Sequence, residues 1–162
     1  MSTEQPNLDS QSIALKTLKG AYNLLRKDLN ALPEEAFTQS FGDKTRTVAD
    51  LVYEVNLVND HVGMVMRLEE PFPWPENGWI KAPEGFDTKE AVIGAFEVSA
   101  QKMLSTVEGF STQQIEEPLE TEDGVTNRFE RCRFMALHMW YHSGQLNFIQ
   151  TLRGDDAFHW MS

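Results

Sequence analysis

The chain has 162 residues, 41% of them hydrophobic, which is enough for one domain with a real core but short for two. Its 25 acidic against 14 basic side chains leave a formal charge of -11, which repels phosphate backbones and anionic lipid surfaces and argues against nucleic acid or membrane as partner. Cys132 is the only cysteine, so neither an internal disulfide nor a cysteine-rich metal site can be built, and a reducing, cytoplasmic setting is expected. The opening MSTEQPNLDSQ has no basic start followed by an apolar run, and no segment approaches the roughly 18 consecutive apolar residues of a spanning helix.

Leu15, Leu18, Tyr22, Leu25 and Leu29 recur at spacings of three and four, predicting an amphipathic helix from about Ser10 to Leu32, where Pro33 ends it. A short helical turn is expected over Glu34 to Gln39. Thr47-Val-Ala-Asp50 resembles a capping box with Asp in place of Glu, and behind it Leu51, Val55, Val58, Val62 and Val65 mark a second helix from Val48 to about Glu69. The following stretch EEPFPWPENGWIKAPEGF, with four prolines and two glycines, reads as a long aromatic-rich connection. Trp74 and Trp79 either lid a pocket there or simply pack the loop down.

Thr88 caps a third predicted helix with the stripe Ile93, Phe96, Ala100, Met103 and Val107, ending near Gly109. Ser111 to Thr126 is expected to be a polar connection. The last periodic segment, from about Asn127 to Arg153, carries Phe134, His138, Tyr141, Gln145, Phe148 and Leu152, and Gly154 closes it. Four long amphipathic helices with two long connections predict an all-α fold, a single four-helix bundle spanning residues 1–162.

Three of the four histidines fall inside these helices on faces expected to be buried. His61 follows Val58 by three and precedes Val65 by four, on the core stripe of the second helix. His138 and His142 are one helical turn apart, about 6 Å along the axis, so both imidazoles can reach one ion. His61, His138 and His142 are therefore the expected ligands of a divalent metal, for which imidazole admits zinc, nickel, copper or iron, with open positions for water or substrate. The competing reading makes them core histidines bonded to backbone or buried polar groups. Gln145, on the same face as His142, either orients a ligand from behind or bonds across the bundle. Glu54 lies seven residues before His61, about 10 Å along the axis, too distant for the same ion by that route and placed instead as an outer-shell partner. Asp60 turns about 100° away from His61 toward solvent, Cys132 reads as a small buried apolar residue, and His159 as a terminal surface residue. Hydrolase-elbow, Walker-type and dinucleotide glycine patterns are absent from the sequence.

The run His138-Met-Trp-Tyr-His142-Ser-Gly-Gln145-Leu-Asn-Phe-Ile-Gln-Thr-Leu-Arg153-Gly154 resembles the closing helix of DinB/YfiT-like proteins, with its H-x-x-x-H-x-G-Q pattern. Asn59-Asp60-His61 and the opening Thr45-Arg46-Thr47-Val48-Ala49-Asp50 are similar to that family's second helix. The resemblance implies a four-helix bundle binding a divalent metal through three histidines, often with homodimer formation. It also implies a thiol-dependent transferase or isomerase acting on a small molecule with mycothiol, bacillithiol or glutathione, or else no assigned activity. Ser143 stands where the family often has arginine. Two functional readings follow. One is a metal-dependent enzyme in which the ion activates water or a low-molecular-weight thiol; the other is a non-catalytic bundle in which the ion only fixes two helices or the acidic surface binds a protein.

Overall fold

The computed structural model describes residues 9–76 and 79–161, and most of the opening MSTEQPNLDSQ lies outside them. Its long helices are α1 (Ser10–Ala31), α2 (Val48–Met66), α3 (Lys89–Glu108) and α5 (Arg128–Leu152), joined by a short α4 (Thr112–Glu116) and a hairpin of β1 (Pro118–Thr121) and β2 (Gly124–Asn127). Each of the four long helices is capped at its start by a side chain, at Thr47 and Thr88 as the sequence suggests. Asp9 accepts from the Ser12 amide, Thr88 from Ala91 and Asn127 from Glu130, while Thr47 and Asp50 complete a reciprocal capping box.

Inter-helix bonds give the directions. Asn59 on α2 bonds Ser99 on α3, and Arg67 just past α2 bonds Thr106, so these two helices run parallel. Arg26 pairs with Glu97 and Lys19 with Glu108, so α1 and α3 are antiparallel. Arg128 at the start of α5 donates to the Met66 carbonyl at the end of α2 (2.8 Å), so α2 and α5 are antiparallel too. Parallel α2 and α3 require a connection that travels back along their whole length, about 30 Å. That is the structural reason for the proline-rich segment 67–88, which has no need of secondary structure to do this.

The helix ends differ from the sequence expectation by one to three residues. At α2, Leu68 adopts φ 59° and the Glu69 amide bonds back to the Met64 carbonyl, closing the helix with a left-handed residue where glycine is usual. A short 3-10 turn covers Glu34–Phe37. The larger difference lies in the expected polar connection from Ser111 to Thr126. Ser111 and Gln114 form a capping box for α4, and β-branched Thr121, Val125 and Thr126 pair around a two-residue turn that Gly124 (φ 112°) permits.

The core is the continuous set of inward faces from α1, α2, α3 and α5, including Leu18, Leu25, Val55, Phe96, Met103, Met135 and Met139. One buried polar chain crosses it: Tyr22 donates to Asn59 (2.8 Å), whose amide donates to Ser99 (2.9 Å). Cys132 is buried, and burial pushes its thiol up to about 12. Among the described residues no helix is long and apolar enough to cross a membrane.

Candidate metal centre

His138 and His142 project from adjacent turns of α5 toward α2. Their Nε2 atoms lie 3.0 Å apart, with the imidazole planes at 90°. The side chain that meets them is Glu54: its Oε1 is 3.6 Å from His138 Nε2 and 3.5 Å from His142 Nε2. These contacts are longer than hydrogen bonds. They match instead the edges of a coordination shell, since tetrahedral bonds of about 2.0–2.1 Å place neighbouring donor atoms about 3.3 Å apart. Two imidazole nitrogens and one carboxylate oxygen are a fitting donor set for zinc, nickel or iron, and the cluster could hold such an ion.

His61 does not join this group, although the sequence expectation placed it there. Its ring packs edge-on against Phe72 (5.3 Å) and Trp74 (5.7 Å). The reason is the register of the antiparallel pair. With Met66 opposite Arg128, Glu54 falls opposite His138, and His61, seven residues further along α2, falls opposite Arg131. The separation of about 10 Å that set Glu54 aside is real. It excludes the histidine, and the carboxylate takes its place.

The surroundings orient each donor. Gln145 Oε1 lies 2.8 Å from His142 Nδ1, so that nitrogen carries the hydrogen, and Nε2 is left with a lone pair aimed at the cluster. The Gln145 amide in turn donates to the Tyr141 hydroxyl (3.2 Å). Arg46 bonds the outer oxygen of Glu54, and its guanidinium lies 4.3 Å over the Trp79 ring. Burial would raise the Glu54 carboxyl, but the two histidines and Arg46 outweigh it and hold the group well below the usual carboxylate range. Burial lowers His142, the Glu54 charge opposing, which favours the neutral imidazole that a metal needs.

His142 is almost fully buried, whereas the His138 and Glu54 side chains keep 13% and 15% exposure, so the centre is reached from one side. A cavity of about 490 Å³ adjoins Arg46 and Gln145, which touch Glu54 and His142, and is lined also by Trp79, Tyr141 and Phe148. No further histidine, cysteine or carboxylate joins the three donors among the described residues. Ser143 points elsewhere: it is buried against α1 and donates to Asp28, which also accepts from Trp160 Nε1 (2.7 Å). Asp60 pairs with Lys102 (2.7 Å) and His159 with Asp155 (2.9 Å), both remote in role from the centre.

The family model of the DinB superfamily matches residues 17–146. The fold is shared with the crystal structure of a conserved protein from Enterococcus faecalis, with a TM-score of 0.68 and 14% identity over 90% of this chain and 98% of that one. No curated protein matches the sequence.

Proposed function

Since the chain belongs to the DinB superfamily, we propose that it is a metal-dependent enzyme using Glu54, His138 and His142 to hold a divalent ion, with a low-molecular-weight thiol as cosubstrate in a transfer or isomerisation. The observation that carries this reading is the three-donor cluster itself, supported by Gln145 and Arg46, which also line a neighbouring cavity. When bound, the ion would lower the pKa of a thiol or water and make it nucleophilic at neutral pH. Gln145 holds the His142 tautomer, Arg46 keeps Glu54 ionised, and Trp79 with Tyr141 narrows the approach for a small molecule. Zinc is the first candidate and nickel the second, while the carboxylate in place of a third imidazole adds weight to iron. The cytoplasm, where such thiols are abundant, is the compartment this chemistry needs.

A non-catalytic reading, with the ion only stapling α2 to α5, calls for a closed shell of protein ligands. Three donors with no fourth protein ligand among the described residues favour the enzyme. Half-exposed Leu137 and Trp140 on α5 support the homodimer that the family resemblance implies. The test replaces the ion by cobalt and adds glutathione, bacillithiol or mycothiol in turn. Thiolate-to-cobalt absorption, followed by thiol-dependent consumption of an electrophile panel, is the expected result. A tightly held ion that gives neither signal with any of the three overturns the proposal.

A further inference from the structure

The residue left over from the metal cluster lies in a second cavity. His61 and Arg131 face each other across the α2/α5 groove, two helical turns from Glu54 and His138, on the wall of a cavity of about 670 Å³. That is a volume suited to a small molecule. We propose that this cavity binds an apolar organic monocarboxylate, its carboxylate held by Arg131 and its body packed against Phe72 and Trp74.

Arg131 is the one lysine or arginine on the wall of this cavity. Its Nη2 donates to Thr121 Oγ1 (3.1 Å), while its Nε is buried and bonds to nothing among the described residues. No carboxylate pairs with it, although Glu120, Glu122 and Asp123 line the same cavity from the hairpin. A guanidinium presents a planar fork of donors that a carboxylate fits with two parallel bonds. Much of the remaining lining is apolar: the Phe72 and Trp74 rings lie 6.5 Å apart at 20°, and Val62, Val65 and Leu68 line the same cavity. His61 packs edge-on against both rings. Burial, with the charge of Arg131, holds its imidazole below the usual range, so it meets a ligand as a neutral hydrogen-bonding group.

The rim sets the charge of the ligand. Glu69, Glu120, Glu122 and Asp123 are exposed around the mouth and repel a polyanion, whereas a single carboxylate neutralised on Arg131 is tolerated. The site does not need the metal to bind its ligand. It rests on the metal reading only in that a carboxylate seated here lies in the same groove as the cluster, about 10 Å along it.

The probes are phenylacetate, benzyl alcohol and phenyl phosphate, followed by ligand-observed NMR and by the His61 ring protons, in zinc-loaded wild type and in metal-free His138→Ala protein. Phenylacetate is expected to bind both forms and to shift the His61 signals. Benzyl alcohol and phenyl phosphate should bind more weakly. Arg131→Gln should weaken phenylacetate about tenfold or more while leaving benzyl alcohol unchanged. Thr121→Val, which removes the bond to the hairpin but keeps the guanidinium, should retain phenylacetate binding and so separates anchoring from folding. Phenylacetate that fails to bind either form, that binds Arg131→Gln as well as wild type, or that is lost in His138→Ala overturns the proposal. Only the last of these outcomes would leave the metal reading as the owner of the ligand.

Discussion

The Nε2 atoms of His138 and His142 face each other at 3.0 Å, with Gln145 fixing the hydrogen of His142 on the far side of its ring. Two neutral imidazoles cannot present lone pairs to each other at that distance without a proton or a cation between them. With the Glu54 carboxylate closing the triangle, the three groups could hold a cation there.

Gln145 is therefore expected to govern affinity without touching the ion. Gln145→Leu should leave the helical circular dichroism unchanged and weaken zinc binding about 10–100-fold, as measured by competition with a chelating dye. Gln145→Glu, which keeps an acceptor for the His142 Nδ1 hydrogen, should restore much of it. Equal affinity in wild type and Gln145→Leu would remove the glutamine from the site.

Asp50 fastens the long connection to α2. It caps the helix and accepts from the Ala82 amide (2.8 Å) and Lys81 (3.3 Å), which holds the loop carrying Trp79 above Arg46. Burial tends to raise its carboxyl, but the Ala82 and Thr47 amides and the Lys81 charge prevail and lower it. A group depressed below its unfolded value of about 3.9 contributes its stabilisation above that pH and loses it as pH falls through the folded pKa. Asp50→Ala should thus cost about 1–2 kcal/mol at pH 7 in urea unfolding and show a shallower loss of stability than wild type below about pH 4. Parallel pH profiles for the two proteins would contradict this.

Asn59 is the middle of a buried polar chain through the core, between Tyr22 and Ser99. Asn59→Leu is close in size but leaves a buried hydroxyl at each end without its partner. A loss of about 2–4 kcal/mol is expected, lowering the thermal midpoint by roughly 5–15 °C. A midpoint within a degree of wild type would show that the network contributes nothing.

Much of this fold is legible in the residues because periodicity is a local property. The stripe Leu18, Tyr22, Leu25, Leu29 is buried as the three-and-four spacing requires, and Thr47 and Asp50 cap as their types suggest. The hairpin escapes such a reading because its strands have four residues each, too short for alternation to stand out, and its turn is Glu122-Asp123 followed by Gly124. The two candidate ligands from α5 are legible for the same local reason as the stripes. The third is not, since the partner of His138 depends on how α2 slides along α5. That register is set by distant contacts such as Arg128 to the Met66 carbonyl, and either Glu54 or His61 satisfies the periodicity of α2 equally well.

The choice between those two residues is the most direct test. Zinc titrated calorimetrically into metal-free wild type, His61→Ala, Glu54→Ala and His138→Ala should give one site per chain in the first two with equal affinity. Binding should be severely weakened in the other two, with helical content retained throughout. Zinc lost from His61→Ala but kept by Glu54→Ala would contradict the account of this centre.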